Sequence, residues 1–287
     1  MIIVNAKSIG EPLARWFEDG KPSRVIARFE STIQFQGEDE QLWAITVNPN
    51  PGPFRIVAST LPAWNPGMRV HSRFTPTDAA QENLLTPSGG AVVGSGAEVR
   101  WDAAALWDPR PNRRALNADE RRSAMQQLAE SINGLNLPEV HGFWGALGEA
   151  WSSFTQALRQ QDSATLQATL NRLIGRGPGL TPTGDDFAQA MLVTLRTGDD
   201  SDRAAFRTLA SEIRTLLPNT TPMSRTFLEE ALRGWAFGPL KTLLEALPEV
   251  RMDALEQLLQ IGASSGVAYA LGVLMGLAYE FDRPLSD

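Results

Sequence analysis

The segment 175–187, with the sequence GRGPGLTPTGDDF, constrains this chain more than any other stretch. It carries four glycines within ten residues, and glycine lets a backbone approach a ligand or a neighbouring segment closely. Apolar residues then recur at helical spacing from Phe187 to Leu195, which predicts an amphipathic helix. Thr183 and Asp186 fit a capping box at the start of this helix. A tight loop before a well-capped helix is one interpretation, and a ligand-binding loop is the other.

Two adjacent carboxylates in this segment exceed what helix capping needs. One acidic side chain near a helix N-terminus already interacts favourably with the helix dipole, by about 0.3–1 kcal/mol. Here Asp185 and Asp186 follow one another, and Arg176 precedes them on the loop. This surplus of charged residues favours the ligand-binding interpretation.

Composition limits the classes of function. The chain has 287 residues, a formal net charge of −7, no cysteine and two histidines, His71 and His141. The lack of cysteine excludes disulfides, iron–sulfur clusters and thiolate catalysis, and two distant histidines argue against a zinc site or a Ser-His-Asp triad. No basic patch dominates the sequence, which argues against nucleic acid as a partner.

Two features predict a cytoplasmic protein without a membrane partner. The first residues have neither a charged leader nor an apolar core long enough for export. The longest apolar stretch, 266–279, is shorter than the roughly 20 apolar residues that a bilayer-spanning helix needs.

The hydrophobic pattern changes near residue 112 and predicts an α+β fold. Residues 1–112 are expected to form a small β-barrel or sandwich-like domain, because short apolar runs alternate with turn residues. Residues 113–287 are expected to form a mainly α-helical domain that carries the glycine-rich GPGLTPTGDD loop. The strands predicted in the first domain are 25–35, 42–47, 54–58, 68–74, 91–93 and 97–101.

Two charged connectors interrupt these patterns. The segment 107–114 is rich in proline and arginine and is interpreted as a linker. Its arginines, Arg110, Arg113 and Arg114, either contact an anionic ligand or lie solvated in the linker, which is the more frequent case. The acidic segment 198–202 is interpreted as a solvated turn, because it lacks the spacing of a calcium-binding EF-hand.

Capping residues predict where several helices begin. Residues 117–120 form a capping box, Ser163 is a candidate N-cap, and Thr221 followed by Pro222 fits an N-cap with proline in the first turn. Glycines at four-residue steps in 262–276 predict a central buried helix that closely approaches a neighbouring helix. The other predicted helices are 143–160, with an apolar stripe of Trp144, Leu147 and Trp151, and 203–217, 239–246 and 252–259.

Three loops share one design, in which glycine or hydroxyl residues lead into a helix N-terminus. They are Gly177–Asp186, Asn219–Arg225 and Gly262–Gly266. Free amides at such helix ends favour anions, and arginine adds charge-assisted hydrogen bonds to phosphate or carboxylate. If the loops converge, they form a pocket for a small anionic metabolite. The candidate ligand-binding residues are Arg176, Gly177, Gly179, Thr181, Thr183, Gly184, Thr220, Thr221, Ser224, Arg225, Ser264, Ser265 and Gly266.

The aspartates are the candidate catalytic residues. Asp185 is expected to point inward as an acceptor or general base, because Asp186 has the capping role in the predicted helix start. Two carboxylates repel an anion unless something intervenes. One solution is a Mg²⁺ ion held by Asp185 and Asp186, and another is a ligand with an amide or amine end. A carbamoyl group attached to an anion satisfies both halves of such a site.

The segment 177–187 resembles the GxGLTPSGDDF signature of a bacterial domain family long described as of unknown function, which includes the AllH-like subunit of oxamate carbamoyltransferase. The resemblance extends to 220–224, 262–266 and 107–109, and so covers most of the chain. Similar members often carry a histidine and an aspartate where this chain has Ala263 and Ala268.

The resemblance implies carbamoyl transfer between oxamate and carbamoyl phosphate in allantoin and purine catabolism, together with other carbamoyltransferase subunits. Two hypotheses follow. In the first, the chain is a carbamoyltransferase-type enzyme subunit that binds a carbamoyl, carboxylate or phosphate ligand at the convergent helix N-termini. In the second, it is a non-catalytic subunit or a ligand-sensing partner, in which the β-rich domain docks other proteins and the glycine-rich loop is structural.

Overall fold

The computed structural model describes residues 1–74, 89–102, 105–133, 152–177 and 179–281. Backbone contacts group the chain into two compact units, Met1–Pro109 and Arg110–Asp287. Some of the predicted features lie outside the described residues. They are the start of the helix at 143–160, its stripe of Trp144, Leu147 and Trp151, and His141.

The first unit is a closed β-barrel, one of the two architectures predicted for it, and the α+β fold class is confirmed. Eight strands run in the order β5-β4-β3-β2-β6-β7-β8-β1, and antiparallel pairing of β1 with β5 closes the ring. A short ninth strand pairs with β1 in parallel. The strands are β1 (Ile2–Gly10), β2 (Ser23–Arg28), β3 (Thr32–Gly37), β4 (Leu42–Thr46), β5 (Arg55–Ala58), β6 (Arg69–Phe74), β7 (Gly89–Gly94), β8 (Ala97–Asp102) and β9 (Leu106–Trp107).

Aromatic side chains fill much of the barrel interior. Phe35 stacks on Trp43 with ring centroids 3.9 Å apart, and Phe17 meets Trp43 edge-on. Phe17 belongs to helix α1 (Glu11–Glu18), which begins directly after β1. Such offset and edge-on pairs add to the stabilisation that comes from burying their area.

The predicted strand 25–35 is wrong in its length. The structure divides it into β2 and β3, which pair antiparallel across a turn, and a β-bulge shifts the register between Val25 and Ala27. The bulge breaks the period-two alternation, so Phe29 is half exposed instead of facing the core with Val25. The sequence pattern also did not predict β1, α1 or β9.

The second unit is helical and buries one continuous apolar core. Its most extensive helix contact joins α5 to α10, and α10 is buried from Gly266 to Ala278. The helices are α2 (Ala118–Asn133), α3 (152–160), α4 (Ser163–Leu170), α5 (Thr183–Arg196), α6 (Asp200–Leu216), α7 (Pro222–Leu232), α8 (Gly238–Ala246), α9 (Met252–Leu259) and α10 (Ser265–Ala278).

Two of the four capping predictions in this unit are confirmed. Asn117 and Glu120 exchange the two hydrogen bonds of a capping box, and Thr221 accepts from the Ser224 amide ahead of α7. Ser163 is not the N-cap of α4, because Asp162 fills that position and accepts from two amides. Among the helices of the described residues, none is long and apolar enough to cross a membrane.

Candidate functional site

Gly175 brings the start of the glycine-rich loop against the segment before α7. Its φ is +73°, in the left-handed region that favours glycine. A Cβ atom at this position would lie 2.3 Å from the carbonyl oxygen of Asn219. Both facts require glycine here, and they place the backbone of residue 175 beside the Asn219–Arg225 loop.

Helix α5 does not begin with the predicted capping box. Pro182 is the N-cap, and its carbonyl oxygen accepts from the amides of Asp185 at 2.9 Å and Asp186 at 3.2 Å. Thr183 is therefore the first helical residue, and its side chain caps nothing. The prediction failed because Pro182, held in an extended conformation, moves the helix start back by one residue. Asp186 is thus released from capping, and both carboxyl groups turn inward, with relative exposures of 2% for Asp185 and 1% for Asp186.

Asp185 ties the beginnings of two loops to α5. One carboxyl oxygen accepts from the Gly175 amide at 2.8 Å, and the other accepts a short hydrogen bond from the Thr220 hydroxyl. Both oxygens are therefore engaged by the protein. Asp185 points inward as predicted, but these bonds make it an anchor of the loops and leave it poorly placed to act as a general base.

Asp186 has a different environment. Its Oδ1 accepts from the Tyr269 hydroxyl at 2.8 Å, whereas its Oδ2 is buried and has no hydrogen-bond partner among the described residues. Burial, together with the nearby Asp185 charge, raises the pKa of the carboxyl from 3.8 to about 7. The hydroxyls of Ser265, Tyr269 and Thr181 oppose that shift, although neither Ser265 nor Thr181 completes a hydrogen bond to Oδ2.

Hydroxyl contacts bring the three loops together. The Thr181 and Ser265 oxygens lie 3.3 Å apart, and so do those of Thr183 and Ser264. The Thr221 hydroxyl donates to the carbonyl oxygen of Leu180. Together with the bonds of Asp185, these contacts place the starts of α5, α7 and α10 around the carboxyl pair. The four hydroxyl side chains on the α5 and α10 loops are half-buried, so they border both the carboxyl pair and solvent.

Two of the predicted glycines serve packing. A Cβ on Gly184 would lie 2.0 Å from the Leu173 carbonyl oxygen, and one on Gly266 would lie 2.4 Å from that of Leu258. By contrast, Gly177 and Gly179 are exposed and have positive φ angles of 127° and 86°. These two give the loop its conformation.

The predicted cationic residues make no contact with the carboxyl pair among the described residues. Arg225 donates from Nε to the Leu217 carbonyl oxygen at 3.2 Å, at the end of α6. Arg176 is exposed and makes no ion pair within the described part of the chain. Ser224 is buried at the start of α7, and its hydroxyl has no partner among the residues that the structure describes.

The predicted Mg²⁺ site fits this geometry poorly. Three of the four carboxyl oxygens of Asp185 and Asp186 already accept protein hydrogen bonds. No third acidic or histidine side chain joins them, and the described residues contain no cluster of that kind. Mg²⁺ requires near-ideal octahedral oxygen ligation, and two carboxyl groups already engaged by these donors supply few of its six ligands.

Tyr269 was not predicted to belong to the site. It lies on α10, one turn after Ser265, and its buried hydroxyl needs an acceptor. The chain has only two tyrosines but twelve phenylalanines, so a tyrosine inside a predicted buried helix was the available signal.

One comparison with known proteins bears on this site. Residues 173–277 match the model of a family described as oxamate carbamoyltransferase subunit AllH. The matched segment contains the three loops, both aspartates and Tyr269. No solved structure matches the chain. The AllH-like resemblance predicted from the sequence is thus confirmed over residues 173–277, and the family name indicates a subunit of a carbamoyltransferase complex.

Proposed function

We propose that this chain is a carbamoyltransferase-type enzyme subunit that binds a small carbamoyl, carboxylate or phosphate ligand where the three helix N-termini meet. Oxamate and carbamoyl phosphate are the candidate ligands, because the matched family is described as a subunit of oxamate carbamoyltransferase. The observation that carries the proposal is the buried Oδ2 of Asp186, which lies beside the hydroxyls of Thr181 and Ser265 and has no hydrogen-bond partner in the described part of the chain.

The helix ends supply the attraction for an anion. The N-termini of α5, α7 and α10 meet here, and the positive ends of their helix dipoles favour negative ligand groups. Several of their first amides already bond protein oxygens, as those of Gly184, Asp185 and Asp186 do on α5. Half-buried hydroxyls at Thr183 and Ser264 add donors that rotate to suit the ligand. The ligand therefore meets favourable helix dipoles and adjustable hydroxyl donors.

The two aspartates have different roles in this proposal. Asp185 holds the loops through Gly175 and Thr220, and its negative charge is satisfied by those donors. Asp186 is the ligand-facing group. Because its pKa is raised to about 7, a large fraction is neutral near pH 7 and does not repel an anion.

A thermal-shift experiment tests the binding step. Oxamate, carbamoyl phosphate and inorganic phosphate are added separately to the wild type, to Ser265→Ala and to Thr181→Val. A ligand at a hundredfold excess over its Kd stabilises by about 2.7 kcal/mol, so a clear rise in Tm is expected for the wild type. We expect that rise to shrink in both variants, because each loses a hydroxyl beside Asp186.

Thr215→Val is the matched control, because Thr215 is exposed on α6 and its hydroxyl bonds only within that helix. It should respond to the ligands as the wild type does. The absence of any ligand-dependent shift in the wild type would contradict the proposal. Carbamoyl transfer itself is then measured with co-purified partner subunits present, since the family description names a subunit.

One observation favours the alternative of a non-catalytic partner subunit. Leu180 is 59% exposed at the tip of the glycine-rich loop, and an exposed leucine there can contact another protein. Leu180→Asp separates the two functions. If it abolishes association with co-purified subunits but leaves the ligand-induced Tm shift intact, Leu180 is a docking residue and the proposed ligand site at the three helix starts is separate from it.

A further inference from the structure

Tyr269 determines which oxygen of Asp186 is free. Its hydroxyl donates to Oδ1 at 2.8 Å, and its ring packs against Phe237 with centroids 4.8 Å apart. The tyrosine is 4% exposed, so its position is fixed by packing that includes Phe237, the residue before α8. One oxygen of the Asp186 carboxyl, Oδ1, is therefore fixed by a hydrogen bond. The other oxygen, Oδ2, has no hydrogen-bond partner in the described structure.

A buried carboxyl oxygen without a donor favours the protonated form of the group. A carboxylate at Oδ2 would leave a charge desolvated beside the negative Asp185, and that costs far more than burying a neutral acid. A protonated Oδ2 carries an O–H that needs an acceptor. An oxygen of a bound anion supplies that acceptor.

We propose that Tyr269 is a positioning residue that holds Oδ1 of Asp186 and thereby presents Oδ2 as an O–H donor to an oxygen of the anionic ligand. This inference rests on the proposed function and defines the ligand class more narrowly. The ligand must offer a carboxylate or phosphate oxygen to Asp186. When the ligand binds at a pH above the pKa of the Asp186 carboxyl, the protein takes up a proton.

Few groups shift the pKa of Asp186 from nearby. They are Asp185 on the same helix, Tyr269 and Ser265 on α10, and Thr181 in the loop before α5. Helix α7 also packs against α5, but its first charged residue, Arg225, is turned to the end of α6. Tyr269 is therefore the one donor of a full hydrogen bond to this carboxyl among the described residues.

A ligand-free titration tests the positioning role. The carboxyl band of Asp186 is followed by infrared spectroscopy from pH 4 to pH 10 and is assigned by its disappearance in Asp186→Asn. Tyr269→Phe removes a donor that stabilises the carboxylate, so the midpoint should rise by about one pH unit. Tyr279→Phe is the matched control, because the Tyr279 hydroxyl bonds Glu280 and should leave the band unchanged. An unchanged midpoint in Tyr269→Phe overturns the positioning role.

A second measurement tests the ligand class. Oxamate and inorganic phosphate are titrated calorimetrically into the wild type and Tyr269→Phe, in buffers of different ionisation enthalpy. We expect proton uptake on binding above pH 7, with affinity falling about tenfold per pH unit, and we expect this fall to begin at a higher pH in Tyr269→Phe. A merely structural role would weaken binding equally at every pH.

The two experiments separate the possible failures. Binding without proton uptake overturns the donor role of Asp186 while leaving the proposed anion site intact. If neither anion nor carbamoyl phosphate binds the wild type, the proposed function fails and the ligand half of this inference fails with it. The infrared midpoint still decides, in that case, whether Tyr269 positions Asp186.

Discussion

Replacing Asp186 by asparagine is expected to stabilise the protein at neutral and alkaline pH. Asparagine has the same shape as the neutral acid, its side-chain oxygen still accepts from Tyr269, and it cannot ionise. The wild type must bury a charged carboxylate whenever the pH lies above the raised pKa. The variant buries no charge at this position and leaves no cavity.

The magnitude follows from the pKa of Asp186. A rise from 3.8 to about 7 in the folded state corresponds to roughly 4 kcal/mol. Below pH 3.8 the carboxyl is protonated in both the folded and the unfolded chain, so the stability that comes from its raised pKa is fully present. Between 3.8 and about 7 the unfolded chain ionises while the folded chain keeps its proton, and stability falls. Above about 7 both states are ionised and the contribution is lost.

Urea unfolding at pH 5, 6, 7 and 8 measures this dependence. The free-energy advantage of Asp186→Asn over the wild type should grow by about 2–3 kcal/mol between pH 5 and pH 8 and then level off. Glu256→Gln, an amide substitution at an exposed position of α9, should show no such growth. If the free energies of unfolding of the variant and the wild type change equally with pH over this range, the reasoning is refuted. Asp186 would then have the same pKa in the folded and the unfolded chain.

Three further substitutions test other parts of the helical unit. Arg121→Met should cost about 3–5 kcal/mol in urea unfolding, since it leaves the buried Asp202 without its bidentate partner, and adding Asp202→Asn should recover most of that loss. Gly272→Ala should lower Tm despite the helix preference for alanine, because its Cβ would lie 2.3 Å from the Phe187 carbonyl oxygen, at a cost of about 1–3 kcal/mol. Asn117→Ala should cost about 1 kcal/mol in urea unfolding through loss of the α2 cap, and an unchanged stability would contradict that role.

Local patterns predicted the helices well. The period of the apolar residues and the caps at Asn117 and Thr221 gave helix positions close to those of α2, α7, α8 and α9. These features depend on neighbours within four residues, which a sequence displays directly. The barrel was predicted as a class but not in detail, because its closure pairs β1 with β5, about half the unit away along the sequence.

Charged residues were predicted less well, because their partners are distant in sequence. The acidic segment 198–202 was expected to be a solvated turn, yet Asp202 is buried and pairs with Arg121. Two arginines of the linker 107–114 also have partners that the sequence did not reveal. Arg114 pairs with Glu120, whereas Arg113 donates to the C-terminal end of α5, and burial lowers its pKa to about 10. Sequence spacing alone does not identify such long-range partners.

The packing of α5 on α10 is what creates the environment of Asp186. Gly272 has no side chain, so the α10 backbone approaches Phe187, the residue that follows Asp186. Tyr269 lies one turn before Gly272 on the same helix, and this close approach brings its hydroxyl within 2.8 Å of the carboxyl. A longer side chain at 272 would separate the helices, weaken that hydrogen bond and admit water to Oδ2. Gly272, which allows the dense helix packing, therefore also shields Asp186 from water. Desolvation is the main cause of the raised pKa of Asp186. The glycine spacing noticed in the sequence and the acid pair in the loop are parts of one arrangement.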